Sequence, residues 1–217
     1  MLQSATTTIV FDTGPDFRQQ MLRADVRVLD AVVFTHHHKD HVAGMDDVRA
    51  YNFLLERDMP IYGQAATLEH LRREYYYIFE HADYPGVPRL ALHTIEPYHP
   101  FSIGDILLEP LPYQHGGMQV LGYRTGNFAY LTDVKDIPPP TMDRLHGLDT
   151  LVVSALRKTP HHSHLNLEEA LSLIEYLKPK RAFLTHISHL MGRHAEVSAE
   201  LPEHVQIAWD GLGLQVG

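Results

Sequence analysis

The sequence predicts an α+β fold in which sheets pack on each other with helices on the outer faces. Short apolar strands come first in a run and then alternate with helical segments, the order expected when sheets and helices form layers. At 217 residues, 44% hydrophobic and 21% charged, the chain has the length and composition of one well-buried globular core. No internal repeat, low-complexity tract or long linker divides it, so residues 1–217 are expected to form a single domain.

The elements follow in order. Thr7 to Phe11 is a β-branched run and reads as a strand; Asp12-Thr13-Gly14-Pro15 turns, and Asp16 to Ala24 reads as a helix with Asp16 near its start. Ala31 to Thr35 is an apolar strand, Asp46 to Arg57 an amphipathic helix, Pro60 to Tyr62 a strand, and Thr67 to Phe79 a second helix rich in Tyr. The Pro-rich stretch from His81 to Pro100 is irregular apart from a strand at Leu90 to Ile95. Ile106 to Pro110, Val120 to Arg124 and Phe128 to Leu131 are strands separated by Gly or polar turns. A short helix is expected at Pro138 to His146, then a buried strand at Leu151 to Ser154. Leu167 to Leu177 is a helix capped by Asn166, with Glu168 and Glu169 in its first turn. Arg181 to Thr185 is a strand, His194 to Glu200 a short helix, and Val205 to Trp209 and Leu212 to Val216 are the last strands.

Composition excludes several classes of function. With no Cys, the chain has no disulfide, no thiolate nucleophile and no sulfur-ligated zinc site, which fits a cytoplasmic protein. No apolar stretch approaches the roughly 20 residues that span a bilayer, and the start of the chain lacks the basic and apolar regions of a secretory signal. The 18 Lys+Arg against 27 Asp+Glu give a formal charge of -9, which counts against a protein that grips a phosphate backbone.

The 17 His are the unusual figure, and several of them are arranged. His36-x-His38-x-Asp40-His41 follows directly on an apolar strand. In extended chain, His36 and His38 share a face and can grip one ion, while Asp40 and His41 can reach a second. Nitrogen and carboxylate ligands without sulfur suit Zn, Mn or Fe. The plainer alternative is a polar loop that happens to hold several His.

The segment Val33-Phe34-Thr35-His36-His37-His38-Lys39-Asp40-His41-Val42-Ala43-Gly44 resembles the signature of the metallo-β-lactamase superfamily. The resemblance implies an αββα sandwich of two packed mixed sheets, and ligands at later strand ends. His115 before Gly116-Gly117, Asp133 after Phe128 to Thr132, and His186 after Ala182 to Thr185 match them in order. It then implies that His36, His38 and His115 hold one divalent metal, that Asp40, His41 and His186 hold another, and that Asp133 bridges them. Two such ions imply attack of metal-bridging hydroxide on an ester or phosphoester. Relatives begin with an extra hairpin, so the resemblance also implies that the first N-terminal strands are lacking here.

Further stretches resemble the phosphodiesterase branch of that superfamily, with the phosphoribosyl 1,2-cyclic phosphate phosphodiesterases nearest. They are Asp12 to Gln20, Gly44 to Arg49, His161 to Ala170 and Thr185 to His189. A small cyclic or nucleotide-like phosphodiester is the implied substrate. His164 is the candidate general acid and, with Asp40, the candidate for catalysis. His162, His189 and Arg157 are candidate substrate contacts, Arg157 through its planar fork. Asp12 and Asp210 sit where they could orient ligand His residues or simply cap turns. Tyr75, Tyr76 and Tyr77 read as packing or a homodimer interface before they read as a base-stacking platform. A lactonase or thioesterase of the same superfamily, a tRNA 3′-processing type of endonuclease, and a metal-binding protein without turnover are the competing readings; nucleic acid is disfavoured by the charge.

Overall fold

β-branched and apolar runs form strands at nearly every place where the pattern predicts them, and the strands build two mixed sheets. The computed structural model describes residues 1–80 and 86–216. The chain divides into two units, Met1–Leu107 and Leu108–Gly217, with the division inside the seventh strand.

The first sheet has the order β1 (Leu2–Gln3), β2 (Thr8–Phe11), β3 (Ala31–Val33), β4 (Met59–Gly63), β5 (Leu90–Thr94). Only β1 and β2 are antiparallel; β2 to β5 run parallel, in register at Phe11↔Val33 and Val33↔Tyr62. Parallel neighbours need crossovers, and helices supply them. These are α1 (Phe17–Arg23), α2 (Lys39–Val42), a 3-10 turn at Met45–Val48, α3 (Arg49–Leu55), α4 (Ala65–Glu74) and α5 (Tyr76–Glu80). Alternate residues Val10, Val32, Met59 and Ile61 of the strands, and Phe34 just past β3, form one core with Phe17, Met45, Val48, Leu68 and Leu71 of the helices and turn. Burying each of the larger side chains contributes about 1.5–3 kcal/mol.

The second sheet has the order β6 (Phe101–Ile103), β7 (Ile106–His115), β8 (Met118–Thr125), β9 (Phe128–Leu131), β10 (Thr150–Ser154), β11 (Arg181–Thr185), β12 (Val205–Ile207). β7, β8 and β9 are antiparallel neighbours, and β9 to β12 run parallel. α6 (Pro139–Arg144), α7 (Leu167–Leu177) and α8 (His194–Ser198) complete this half. α7 turns Ala170, Ile174 and Leu177 inward at helical spacing, and a full capping box between Asn166 and Glu169 starts it.

Four expectations change. The helix expected over Asp46 to Arg57 is a 3-10 turn followed by α3, which stops where Glu56 enters the left-handed region. The helix expected over Thr67 to Phe79 breaks at Tyr75. Tyr75 and Tyr77 would point about 200° apart on one continuous helix. The break lets both reach inward, Tyr75 Oη donating to Val42 O (2.6 Å) and Tyr77 Oη to Asp46 Oδ1 (2.5 Å). β7 continues past Pro110 and Pro112 to His115. The three-residue β6 is too short to pair along all of β7, so the missing N–H groups of both prolines can lie on the unladdered side. Leu212 to Val216 is irregular: Gly211 and Gly213 weaken it as a strand, and the Gln215 carbonyl is taken by the Arg181 guanidinium. β1 and β6 had no strong sequence signal, and residues 81–85 of the Pro-rich stretch lie outside the described residues. Among the described residues no helix is long and apolar enough to cross a membrane.

Candidate metal centre

The candidate ligands stand at or just past the C-terminal ends of strands, parallel ones except for the antiparallel β7 that ends at His115, and each half of the chain builds its own set. In the first half, β2 and β3 end side by side. The chain leaving β2 places Asp12 at φ 62, and the chain leaving β3 runs through Thr35 to His36. The Asp12 side chain is 8% exposed, and its carboxylate organises the neighbouring turn. Oδ1 accepts from the Thr35 backbone N–H (2.8 Å); Oδ2 accepts from the Thr35 hydroxyl (2.7 Å) and lies 2.7 Å from His41 Nδ1. With its proton given to Asp12, the Thr35 oxygen is left to accept from His36 Nδ1, 3.0 Å away. One carboxylate therefore sets the tautomer of two imidazoles, directly for His41 and through Thr35 for His36. Both rings then turn a lone pair at Nε2 toward a ligand.

The same turn brings His36 and His38 edge to face at 4.7 Å between ring centres, and His36 and His41 to 4.1 Å. Asp40 Oδ2 lies 3.4 Å from His41 Nε2. His36 and His41 are buried, whereas His38 and Asp40 are exposed. Backbone bonds lock the segment: Thr13 N to His41 O at 2.7 Å and Gly44 N to Thr13 O at 2.8 Å. The lock needs glycine, because a Cβ at Gly44 would stand 2.3 Å from Gly14 O.

In the second half, His115 ends β7, Asp133 follows β9 and His186 follows β11. Asp133 (φ 56) and His186 (φ 55) adopt the left-handed conformation, as Asp12 does. Asp133 is 2% exposed, with Oδ2 accepting from the Thr132 hydroxyl at 2.7 Å. Its Oδ1 faces three imidazoles: His186 Nε2 at 3.3 Å, His164 Nδ1 at 3.5 Å and His115 Nε2 at 3.9 Å. One ligand atom each from His115, Asp133 and His164 lie within 4.8 Å of one another, close enough to share an ion. His115 Nδ1 is 2.7 Å from the Ser163 carbonyl, which can only accept, so this ring too presents a lone pair at Nε2. Burial pushes the His164 imidazole down to about 4, with Asp133 opposing and His115, His186 and His161 adding to the fall. At neutral pH His164 is then uncharged, and a cation is the natural partner for the buried Asp133 carboxylate. The donor set, imidazole nitrogens with fixed tautomers and carboxylate oxygens, fits Zn, Mn or Fe.

The candidate substrate contacts are placed differently. Arg157 uses its guanidinium on its own loop, donating to Thr159 O (3.2 Å) and Pro160 O (2.6 Å). His162 and His189 are exposed, His162 lying 4.4 Å from the ring of His161. Asp210 is exposed in the turn after β12. Tyr75 and Tyr77 brace the turn that carries the first ligand set, which leaves only Tyr76 strongly exposed. Thr35, Thr132, Ser163 and His161 were not singled out by sequence reasoning. A signal for two of them was present, since Thr35-His36, Thr132-Asp133 and Thr185-His186 each place Thr at a strand end directly before a candidate ligand.

Two mixed sheets with His and Asp donors at their strand ends define a metallo-β-lactamase-fold hydrolase. The family model described as the β-lactamase superfamily domain matches residues 7–187, and the chain belongs to that superfamily. The solved structure of a diphosphatase from the PhnP family is 37% identical, covers 97% of this chain and 80% of its own, and superposes with a TM-score of 0.88. Human tRNase Z, short form, shares the fold at a TM-score of 0.77 and 17% identity, over 100% of this chain and 91% of its own. A Porphyromonas gingivalis protein named octanoyltransferase is 37% identical over 213 residues, which is 98% of this chain and 43% of that protein. The chain thus spans less than half the length of this curated relative.

Proposed function

We propose that the chain hydrolyses a P–O bond in a small cyclic or nucleotide-like phosphodiester, using two divalent ions, Zn or Mn, with Fe the third choice. His36, His38 and His115 would hold one ion, Asp40, His41 and His186 the other, and Asp133 both. Bound there, the ions would lower the pKa of a water and neutralise a phosphoryl oxygen. The observation that carries the reading is the buried Asp133 carboxylate, whose Oδ1 has three imidazole nitrogens within 3.9 Å. The 37% identity to a PhnP-family diphosphatase over nearly the whole chain supports phosphorus chemistry.

The chain's own groups have definite tasks in this reading. Asp12, Thr35 and Ser163 hold the ligand rings in one tautomer. His164, buried beside Asp133, would hydrogen-bond the leaving oxygen through a ring N–H, and would pass it a proton only from the imidazolium form. His162, His189 and Arg157 meet the substrate phosphate, which for Arg157 requires its fork to leave the Thr159 and Pro160 carbonyls. The absence of Cys supports a cytoplasmic setting.

The test is elemental analysis of the purified protein, with turnover of bis-p-nitrophenyl phosphate in added Mn or Zn. The expected result is at least one metal per chain and metal-stimulated hydrolysis; less metal and no turnover would overturn the proposal. A second reading is an acyl substrate, favoured by the relative named octanoyltransferase. Faster cleavage of p-nitrophenyl octanoate than of the phosphodiester would select it, and faster cleavage of a diphosphate would select the chemistry of the PhnP-family neighbour.

A further inference from the structure

Lys135 is the place where the chain segments carrying His115, Asp133 and His164 meet. It lies two residues after Asp133, and its backbone N–H donates to Gln114 O at 2.9 Å, directly beside His115. Gln114 returns the bond, its N–H donating to Asp136 O at 2.9 Å. The Lys135 side chain runs the other way. Its Nζ donates to Glu169 Oε1 at 2.8 Å and reaches the His164 carbonyl at 3.5 Å. The other oxygen of Glu169 accepts from the Asn166 N–H (2.8 Å), and Asn166 Oδ1 accepts from the Glu169 N–H (2.8 Å), closing the cap of α7. Leu165 N donates to Val134 O at 2.7 Å, alongside the ammonium.

The segment held down in this way is His161 to Asn166. It contributes the His164 ring, 3.5 Å from Asp133, and the Ser163 carbonyl that fixes the tautomer of His115. One ammonium ties this segment, through the cap of α7, to the strand end that carries Asp133. The Lys135 side chain is 19% exposed and that of Glu169 39%, so the pair is screened on its Glu169 side and shielded on its Lys135 side.

We propose that Lys135 is a positioning residue, whose ion pair with Glu169 holds His164 and the Ser163 carbonyl in register with Asp133. The proposal rests on the reading of His115 and Asp133 as metal ligands and of the chain as a phosphodiesterase. It assigns Lys135 no contact with substrate.

The test uses the full chain with Lys135→Met, Lys135→Arg and Glu169→Gln, and with Lys180→Met as control, whose partner Asp149 forms an exposed pair. Zn2+ affinity of the metal-free protein is measured by calorimetry, together with thermal melting and with kcat and KM for bis-p-nitrophenyl phosphate. Lys135→Met and Glu169→Gln are expected to weaken Zn2+ binding and lower kcat by about 10-fold to 100-fold. KM should move far less, Lys135→Arg should restore most of the loss, and Lys180→Met should match wild type. Unchanged Zn2+ affinity and kcat in Lys135→Met would overturn the proposal. So would a loss that tracks the fall in melting temperature and is not rescued by Arg. If wild type binds Zn2+ but does not cleave the phosphodiester, the functional reading fails, and the Zn2+ affinities still decide the role of Lys135.

Discussion

Asp12→Asn separates fold from site most sharply. Asp12 accepts from Thr35 N (2.8 Å) and Thr35 Oγ1 (2.7 Å) and lies 2.7 Å from His41 Nδ1, with both acidic and imidazole side chains under 10% exposed. Asn suits the left-handed backbone at φ 62 as well as Asp does, so backbone strain drops out of the comparison. Its carbonyl oxygen can keep the bond from Thr35 N, but its NH2 group then faces the Thr35 hydroxyl and His41 Nδ1 as a donor. Hydrogen bonds to charged groups are worth about 1.5–3 kcal/mol each, so weakening two coupled ones should cost the metal-free fold about 2–4 kcal/mol. The effect on the site is larger in kind. To accept from the amide, His41 must move its proton to Nε2, which removes the lone pair needed by an ion. Zn2+ affinity is then expected to fall about 10-fold to 100-fold. Denaturant unfolding of the metal-free protein and Zn2+ calorimetry measure the two effects, and nitrogen NMR of His41 reports its tautomer. Wild-type Zn2+ affinity with His41 Nε2 still unprotonated would refute the reasoning.

Three further outcomes are expected. His164→Ala should lower kcat about 100-fold to 10,000-fold with metal stoichiometry unchanged, by analogy with lost acid–base groups; loss of metal in elemental analysis would instead make His164 a ligand, as its closeness to His115 and Asp133 allows. Gly44→Ala forces a Cβ to 2.3 Å from Gly14 O and 2.7 Å from Phe17 Cβ. It should destabilise by about 1–3 kcal/mol, visible as a lower Tm; an unchanged Tm would show that the two turns are not interlocked. Asn166→Ala removes the capping box of α7 and should cost about 1 kcal/mol in denaturant unfolding, with Asn166→Asp costing far less.

Legibility in the sequence followed the range of the forces involved. α7 and β11 were readable to the residue, because an N-cap with acidic first turn and a short apolar run are local signals. β1 and β6 were not, since two- and three-residue strands have no periodicity and exist only through their partners. The break at Tyr75 depends on where the Val42 carbonyl stands, 33 residues away in sequence. Leu212 to Val216 carried an alternating pattern, and no strand forms there because pairing in β12 stops at Ile207.

The candidate ligand set could be named from the sequence because metal chemistry restricts residue type and strand ends restrict position; the groups that brace those candidates could not. Thr35, Ser163 and Lys135 act through one hydroxyl, one carbonyl and one ammonium, and such groups occur everywhere in a sequence. What marks them is geometry at the strand ends, and the backbone itself shows the strain. Asp12, Asp133 and His186 each take a positive φ just beyond β2, β9 and β11, at a cost of about 1–2 kcal/mol apiece relative to ordinary backbone. A strand that simply ended would send its next side chain along the pleat. The left-handed residue turns the chain at once, so a carboxylate or imidazole is aimed across the strand end instead of away from it. Asp25, Glu56, Tyr98 and Lys178 also take a positive φ, so the conformation is not confined to the candidate site; at Asp12, Asp133 and His186 it falls just past a strand end, beside the other candidate donors. At those three positions the turn brings the candidate donors toward one another, and it is there that any strain in the backbone has a use.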